Sequence, residues 1–187
     1  MEHLNTLKVI MTSLKKKKII VLGLEKSGKT SIVFNFIGKF NLSDYNSLGD
    51  TKSPNIFTLE KSDIEFSLWD FKGEEVYRNE FLNNFNSYIN NTREIFFVID
   101  VQDSTRYDLA IKFLQTIIMK LKRLNLKVEF TIFLHKYDNN LFERFPDLKR
   151  EMIQSLIERI KQIIPSDDFH EIYQSNINMI LDKIHIF

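Results

Sequence analysis

One segment constrains the fold more than any other: residues 23–30 (GLEKSGKT), which lie between an apolar run and an amphipathic stretch. The apolar run at 18–23 predicts a buried strand, and the spacing of apolar residues at 30–39 predicts a helix. Glycine is scarce, with 5 in 187 residues, so the two glycines of this motif mark backbone positions that need a residue without a side chain. The sequence therefore predicts a strand, a tight turn and a helix in immediate succession.

The spacing G-x-x-x-x-G-K-[ST] is typical of a loop that wraps around a chain of phosphates. Its backbone N–H groups point inward, and the start of the following helix adds partial positive charge. We expect the Lys29 ammonium to bind the β- and γ-phosphates and the Thr30 hydroxyl to bind Mg²⁺, which prefers oxygen ligands. The Glu25 side chain is expected to point to solvent. The further residues of this loop that we expect at the nucleotide are Gly23, Glu25, Lys26, Ser27, Gly28 and Ser31.

Further along the chain, short apolar runs alternate with longer amphipathic stretches. The predicted strands are 18–23, 55–60, 64–70, 95–100, 128–134 and 171–173. The predicted helices are 30–39, 104–124, 147–164 with Asp147 as its cap, and 177–186. The apolar face of the helix at 104–124 is predicted to carry Leu109, Phe113, Ile117 and Leu121. Strands separated by helices indicate right-handed βαβ units. We therefore expect an α/β fold of the P-loop nucleoside triphosphatase type: three layers, α/β/α, with a mostly parallel six-stranded sheet that contains one antiparallel strand.

A second set of candidate residues follows the strand at 64–70, which ends in Asp70. A carboxylate there can bind Mg²⁺ through water from the side opposite Thr30; the alternative is that Asp70 caps a turn or helix. Gly73 follows, and its N–H can reach a γ-phosphate that a side chain would obstruct. We take Glu74, Gly73 and Lys29 as the candidate catalytic residues. A phosphate loop alone does not distinguish kinases, ATPases and GTPases.

A base-reading motif follows the strand at 128–134, in the order His135-Lys136-Tyr-Asp138. The Asp138 carboxylate can accept hydrogen bonds from guanine N1–H and from its 2-amino group, and adenine presents no such pair of donors. The aliphatic stem of Lys136 can cover the plane of the base. Buried donors left without an acceptor are how polar sites reject analogues, so the motif predicts GTP rather than ATP.

The composition excludes several other classes of protein. With 26 basic and 25 acidic side chains the net charge is +1, which argues against a nucleic-acid-coating protein. The chain has no cysteine, so disulfides, thiolate metal sites and cysteine nucleophiles are excluded. No apolar run reaches the roughly 18 residues of a membrane span, and we expect a cytoplasmic protein.

Taken together, these motifs resemble the Ras superfamily of small GTPases from about residue 18 to the end of the chain. Residues 69–74 (WDFKGE) look like the switch II motif W-D-x-G-G-Q, with a tryptophan that the Arf and Rag branches share. Residues 135–138 (HKYD) resemble the guanine motif in the form typical of the Rag/Gtr branch. The resemblance implies a GTP-dependent switch that needs GTP or GDP and Mg²⁺ and that acts through effector, activating and exchange proteins.

The resemblance also assigns residues that no motif marks. It implies that Thr51 closes on Mg²⁺ and the γ-phosphate in the GTP state. It implies that the backbone of Ser175, Asn176 and Ile177 touches the guanine oxygen. Rag proteins carry a C-terminal dimerisation domain, for which this chain leaves no room, so a separate dimerisation or adaptor partner is the alternative.

One departure from the family pattern concerns hydrolysis. Where the family has Gly-Gly-Gln, this chain has Lys72-Gly73-Glu74, and the family glutamine orients the attacking water. A carboxylate near an anionic phosphate predicts slow intrinsic hydrolysis. Two alternatives stay open: a guanine-nucleotide-binding scaffold that does not hydrolyse GTP, and a P-loop kinase acting on a small molecule.

The N-terminal extension, residues 1–17, differs from the GTPase domain predicted at 18–187. Its apolar residues recur at helical spacing on one face, and a basic run at 15–18 follows; they are Leu4, Leu7, Met11 and Leu14. Such a segment can contact the cytoplasmic face of a membrane weakly, or it can pack on the domain. Phe81, Phe85 and Tyr88 leave a similar choice between core and effector surface.

Overall fold

The computed structural model describes residues 15–38, 54–61, 64–164, 170–176 and 182–184. The strands within these ranges are β1 (Lys15–Gly23), β2 (Asn55–Lys61), β3 (Ile64–Asp70), β4 (Thr92–Asp100), β5 (Glu129–His135), β6 (His170–Ser175) and β7 (Asp182–Ile184). They form one sheet in the order β2-β3-β1-β4-β5-β6-β7. Strands β3, β1, β4, β5 and β6 run parallel, and β2 pairs with β3 in the antiparallel sense. The six predicted strands and the α/β fold class are confirmed.

The helices lie on both faces of this sheet. They are α1 (Lys29–Phe36), α2 (Glu75–Asn83), α3 (Phe85–Ile89), α4 (Tyr107–Arg123), α5 (Leu141–Arg144) and α6 (Arg150–Ile163), with a 3₁₀ turn at Ser104–Arg106. Helix α1 packs on one face through Ile32 and Val33, and α4 and α6 pack on the other. The three predicted layers are present.

Aromatic residues fill much of the larger core. Phe81 and Phe85 are 1% and 2% exposed, and the Phe81 ring contacts Phe71 edge-on with 4.9 Å between centroids. Tyr88 packs against the same cluster. The core interpretation is therefore correct for Phe81 and Phe85, while Tyr88 is only partly buried.

Two predictions about helices were wrong in detail. Leu109 is 41% exposed, whereas the other three predicted apolar positions of α4, Phe113, Ile117 and Leu121, are buried. The remaining buried residues of this helix are Tyr107, Ala110, Ile111, Leu114 and Ile118. Helix α6 begins at Arg150 with Lys149 as its N-cap residue, so Asp147 does not cap it. Helix termini depend on backbone geometry that a periodic pattern does not specify.

The prediction of a closing helix at 177–186 was also wrong, because Asp182–Ile184 forms β7. This strand pairs antiparallel with β6, with Ile172 opposite Ile184. Pairing satisfies backbone N–H and C=O groups of β6 that would otherwise form an open sheet edge. The predicted six-stranded sheet is thereby extended by one short strand.

Several predictions concern residues outside the described ranges: Thr51, Ile177 and the helical pattern of residues 1–14. Strand β1 begins at Lys15, three residues before the predicted strand. None of the described helices is both long enough and apolar enough to span a bilayer.

The parallel strands place the predicted motifs together. The carboxyl ends of parallel strands meet at one edge of a sheet, where ligands of open α/β folds bind. The loops that follow β1, β3, β4, β5 and β6 all begin at this edge.

Candidate nucleotide-binding site

The loop between β1 and α1 has the backbone that the phosphate motif requires. Lys26 and Gly28 have φ of 60° and 91°, in the left-handed region. Gly28 is the N-cap residue of α1, and no side chain caps this end of the helix, so the helix N-terminus can face an anion. A Cβ on Gly28 would lie 2.2 Å from His135 Cδ2, which makes glycine necessary there.

Lys29 is a buried cation at the centre of this loop. Its side chain is largely covered (7% exposed), and its Nζ donates a hydrogen bond to the Leu24 carbonyl over 2.6 Å. Burial lowers the pKa of Lys29 to about 8, and the Asp70 carboxylate acts in the opposite direction. Burying an ammonium group in a low-dielectric site costs free energy, and an anionic ligand would offset this cost.

Thr30 and Asp70 form the candidate metal site. The Thr30 hydroxyl donates to Asp70 Oδ2 over 2.6 Å. Within the described residues, Asp70 Oδ1 and Ser27 Oγ are buried and have no hydrogen-bond partner. A hydroxyl and a carboxylate are the oxygen donors that Mg²⁺ prefers, and a buried oxygen without a protein partner is suited to bind a water, an ion or a ligand. These residues therefore fit a hydrated Mg²⁺ beside a phosphate.

Burial raises the pKa of Asp70 to about 6, against the opposing effects of the Thr30 hydrogen bond and Lys29. The folded state thus binds a proton more tightly than the unfolded chain. We expect the stability of the nucleotide-free protein to fall by about 3 kcal/mol as the pH rises from 4 to 6. An Asp70→Asn variant should lose this dependence, be up to about 3 kcal/mol more stable than wild type at pH 7.5, and gain less stability from Mg²⁺ with nucleotide than wild type does.

Urea denaturation between pH 4 and 8, with and without Mg²⁺ and GDP, measures both effects. Asp147→Asn is a matched control, because Asp147 is exposed. An Asp70→Asn variant with the wild-type pH dependence, or with the wild-type stabilisation by Mg²⁺, would contradict the assignment.

Gly73 packs directly on the phosphate loop. Its carbonyl accepts hydrogen bonds from the Glu25 N–H over 3.0 Å and from Arg78 Nη1 over 2.5 Å. A Cβ on Gly73 would lie 2.3 Å from the Glu25 nitrogen, so only glycine permits this approach. Glu74 follows as the N-cap residue of α2 and is exposed. The structure thus brings the switch II residues next to the loop at 23–30.

His135 and Ser175 join the base-reading loop to β6. The His135 ring is 2% exposed, and its Nδ1 lies 3.0 Å from Ser175 Oγ. Burial lowers the pKa of His135 to about 4, so the ring is neutral near pH 7. Because the same ring contacts Gly28, it connects the base-reading loop with the phosphate loop.

The loop after His135 carries the two candidate base contacts. Lys136 has φ 64°, and its Nζ lies 2.5 Å from Asp100 Oδ2, so its head group is anchored while its stem stays available to a base. Asp138 Oδ2 accepts from Gln102 Nε2 over 3.1 Å and lies 3.3 Å from Arg144 Nη1.

A cleft of about 360 Å³ lies beside this loop. Its lining residues are Tyr137, Asp138, Asn139, Phe142, Arg150, Gln174 and Asn176. Both Ser175 and Asn176 are buried, which places two of the three residues of the predicted guanine segment next to the base-reading loop.

Sequence reasoning missed Arg106, which lies in the 3₁₀ turn and contacts Glu25 of the phosphate loop. Its Nε donates to Asp103 Oδ2 over 2.6 Å, and its Nη2 donates to the Glu25 carbonyl over 3.4 Å. Its Nη1 lies 3.5 Å from Glu25 Oε1. The Glu25 side chain, expected to point to solvent, is 45% exposed and also faces the Arg106 cation. Arg78 and Gln102 were missed in the same way.

Comparison with known proteins places these features in a family. A family model described as the ADP-ribosylation factor family matches residues 3–176. The chain is similar to ADP-ribosylation factor-like protein 5 of Caenorhabditis elegans, with 33% identity over 92 residues, 49% of this chain and 47% of that protein. It is also similar to GTP-binding protein gtr2 of Schizosaccharomyces pombe, with 30% identity over 151 residues, 80% of this chain and 46% of that protein.

Among solved structures, the chain is similar to the Arl6 BBS3 small GTPase from Trypanosoma brucei with bound nucleotide analogue GppNp. The TM-score is 0.57 at 22% identity, covering 87% of this chain and 88% of that chain. At this identity the likeness shows the fold. The chain spans about half the length of the curated relatives it matches.

Proposed function

Because the chain belongs to the ADP-ribosylation factor family of Ras-superfamily small GTPases, we propose that it is a molecular switch that binds GTP or GDP with Mg²⁺. The observation that carries the proposal is the cluster of buried polar groups at one sheet edge. Lys29 is buried and positive, while Asp70 Oδ1 and Ser27 Oγ lack partners among the described residues. The GppNp in the similar Trypanosoma structure and the name of the gtr2 relative support a guanine nucleotide as the ligand.

In this proposal each group has one role at the phosphates. The N–H groups of the loop at 23–30 bind phosphate oxygens, and the Lys29 ammonium binds the β- and γ-phosphates. Thr30 and Asp70 hold the metal, which neutralises phosphate charge when bound. The Gly73 N–H contacts the γ-phosphate. Thr51 binds Mg²⁺ and the γ-phosphate in the GTP state. Hydrolysis transfers the γ-phosphoryl group to water, and catalysis rests on positioning and electrostatics.

The base is selected by Asp138, in this proposal. Its carboxylate accepts from N1–H and the 2-amino group of guanine, while Ser175, Asn176 and Ile177 approach the guanine oxygen through their backbone. The geometry favours this role, because Asp138 accepts a hydrogen bond from Gln102 on the loop after β4 and the Lys136 head group is anchored by Asp100.

The direct test is to release and identify the nucleotide that copurifies with the protein, and then to titrate the nucleotide-free protein with GDP and ADP in the presence of Mg²⁺. We expect guanine nucleotide on the purified protein and tighter binding of GDP. Equal affinity for GDP and ADP, or no uptake of either, would overturn the proposal.

Glu74 makes the hydrolysis slow, in this proposal, because it brings a carboxylate to the position where the family has glutamine. A Glu74→Gln variant should hydrolyse GTP roughly ten- to hundredfold faster than wild type in a single turnover. The amide can orient water without repelling the γ-phosphate.

Glu75→Gln is the matched control, since Glu75 is the next residue, is equally exposed, and lies in the first turn of α2. It should leave the rate unchanged. Wild-type hydrolysis as fast as that of Glu74→Gln would refute the role of Glu74.

A second candidate function is a guanine-nucleotide-binding scaffold without turnover. Two exposed or half-exposed charges favour it: Glu74, and Lys72, whose Nζ lies 4.9 Å from the centre of the Tyr77 ring rather than in the phosphate loop. Multiple-turnover phosphate release in the presence of a candidate activating protein separates the two functions. In both candidate functions, the output is a change of protein partner. This change depends on the conformation of the segments around Thr51 and Gly73.

A further inference from the structure

Gln102, just after β4, reaches across to the loop that follows β5. It is half-buried, and its own backbone N–H donates to Asp100 Oδ1 over 2.9 Å. Its side-chain Nε2 donates to the Lys136 carbonyl over 3.0 Å and to Asp138 Oδ2 over 3.1 Å. One side chain thus holds both the backbone and the carboxylate of the base-reading loop.

The chemistry of these partners fixes the amide of Gln102 in one orientation. A carbonyl and a carboxylate oxygen only accept, so the NH₂ end must face them and each N–H serves one acceptor. Asp100 provides the platform, because its Oδ1 accepts from the Gln102 backbone and its Oδ2 contacts Lys136 Nζ over 2.5 Å. The bond to the Lys136 carbonyl also supports a residue in the left-handed region, with φ 64°, which costs energy for any side chain.

Arg144 is the other neighbour of the same Asp138 oxygen, but it is less suited to orient it. Its Nη1 lies 3.3 Å from Asp138 Oδ2, and its side chain is 54% exposed. Exposed ion pairs are screened by solvent and contribute little. Gln102 is held at both its backbone and its side chain, so it is the more rigid partner.

We propose that Gln102 is a positioning residue for base selectivity: it sets the plane of the Asp138 carboxylate and thereby determines how strongly the site prefers a purine that carries a 2-amino group. This inference rests on the proposed function. It adds to that function a residue outside the phosphate and base-reading motifs, on the loop after a different strand. Without Gln102, the carboxylate can rotate away from the position in which both of its oxygens face the base edge.

The test compares GDP with inosine diphosphate, which lacks only the 2-amino group, by titration of the full chain with Mg²⁺ present. We expect Gln102→Glu to reduce the GDP-over-inosine preference roughly tenfold, the size of one lost charge-assisted hydrogen bond. Its new carboxylate faces the Lys136 carbonyl and Asp138. Gln102→Met, which keeps the length but removes both donors, should reduce the preference in the same direction. Because both ligands have the same phosphates, a general loosening of the loop at 23–30 cancels in the ratio.

Gln115→Glu is the matched control, an identical change at an exposed position of α4, and Arg144→Gln removes the exposed partner. Both should keep the wild-type preference to within about twofold. A wild-type ratio in both Gln102 variants, or an equal loss in Arg144→Gln, would overturn the inference. If wild type itself does not prefer GDP to ADP, the proposed function fails instead, so the two failures are distinguishable.

Discussion

A Lys29→Met variant is expected to bind GDP at least roughly a hundredfold more weakly than wild type, because truncating one partner of a buried charge pair costs several kcal/mol. Lys29 is the buried cation of the phosphate loop, and burial has already lowered its pKa to about 8. The ligand phosphates would add to the countercharge that the carboxylates of Asp70, Glu74 and Glu25 supply.

The same variant should stay folded. Removing the ammonium relieves a desolvation cost of about 3 kcal/mol, while losing its hydrogen bond to the Leu24 carbonyl costs about 1–3 kcal/mol. Since the pKa of Lys29 is lowered on folding, the stability of nucleotide-free wild type should rise between about pH 8 and pH 10.5, and the variant should lack this rise.

Calorimetric titration with GDP and urea denaturation across that pH range measure both expectations. Lys112→Met is a suitable control, since Lys112 lies exposed on α4. Wild-type GDP affinity in Lys29→Met, or an unfolded protein without nucleotide, would show that Lys29 is structural.

An Asp138→Asn variant is expected to change the base preference of the site from guanine toward xanthine. The amide presents a donor where the carboxylate accepted, so guanine N1–H or the 2-amino group loses its acceptor, and xanthine, which has a carbonyl in place of that amine, gains a donor. We expect GDP affinity to fall at least roughly a hundredfold and xanthosine diphosphate to bind more tightly to the variant than to wild type.

Competition of both diphosphates against a fluorescent guanine nucleotide measures the exchange, with the exposed Asp108→Asn as control. Unchanged GDP affinity in Asp138→Asn would refute the role of Asp138 in base reading. The phosphates of both ligands are bound by other residues. The sum of the two binding free energies should therefore change less than the difference between them.

The sequence was most informative where a function is carried by contiguous residues. Residues 23–30 span the end of β1, the turn and the start of α1. The backbone geometry around Gly28 therefore follows from the sequence of this segment alone. Asp70 and Asp138 each follow an apolar run, and in a parallel sheet this is enough to place them at the same edge. Strands β1, β4 and β5 were predictable because each contains an apolar run bounded by polar residues, and β2 and β3 because apolar and polar residues alternate along them.

The residues that support these motifs were not predictable. Arg106 meets Glu25 across 81 positions and Gln102 meets Asp138 across 36, and no periodicity relates such pairs. Each depends on the angle at which one loop leaves the sheet. The prediction for the segment at 182–184 was wrong for a different reason: short apolar stretches fit a helix or a strand equally well.

The contact between the His135 ring and Gly28 has a consequence for nucleotide exchange. The ring lies between the base-reading loop, which would hold the purine, and the phosphate loop, which would hold the phosphates. Because a Cβ on Gly28 would already collide with the ring, the phosphate loop cannot move toward the base-reading loop without displacing His135. In the proposed function, an exchange protein that pushes one of these loops toward the other would therefore move both, and the size of the side chain at 135 would set how closely the two movements are coupled.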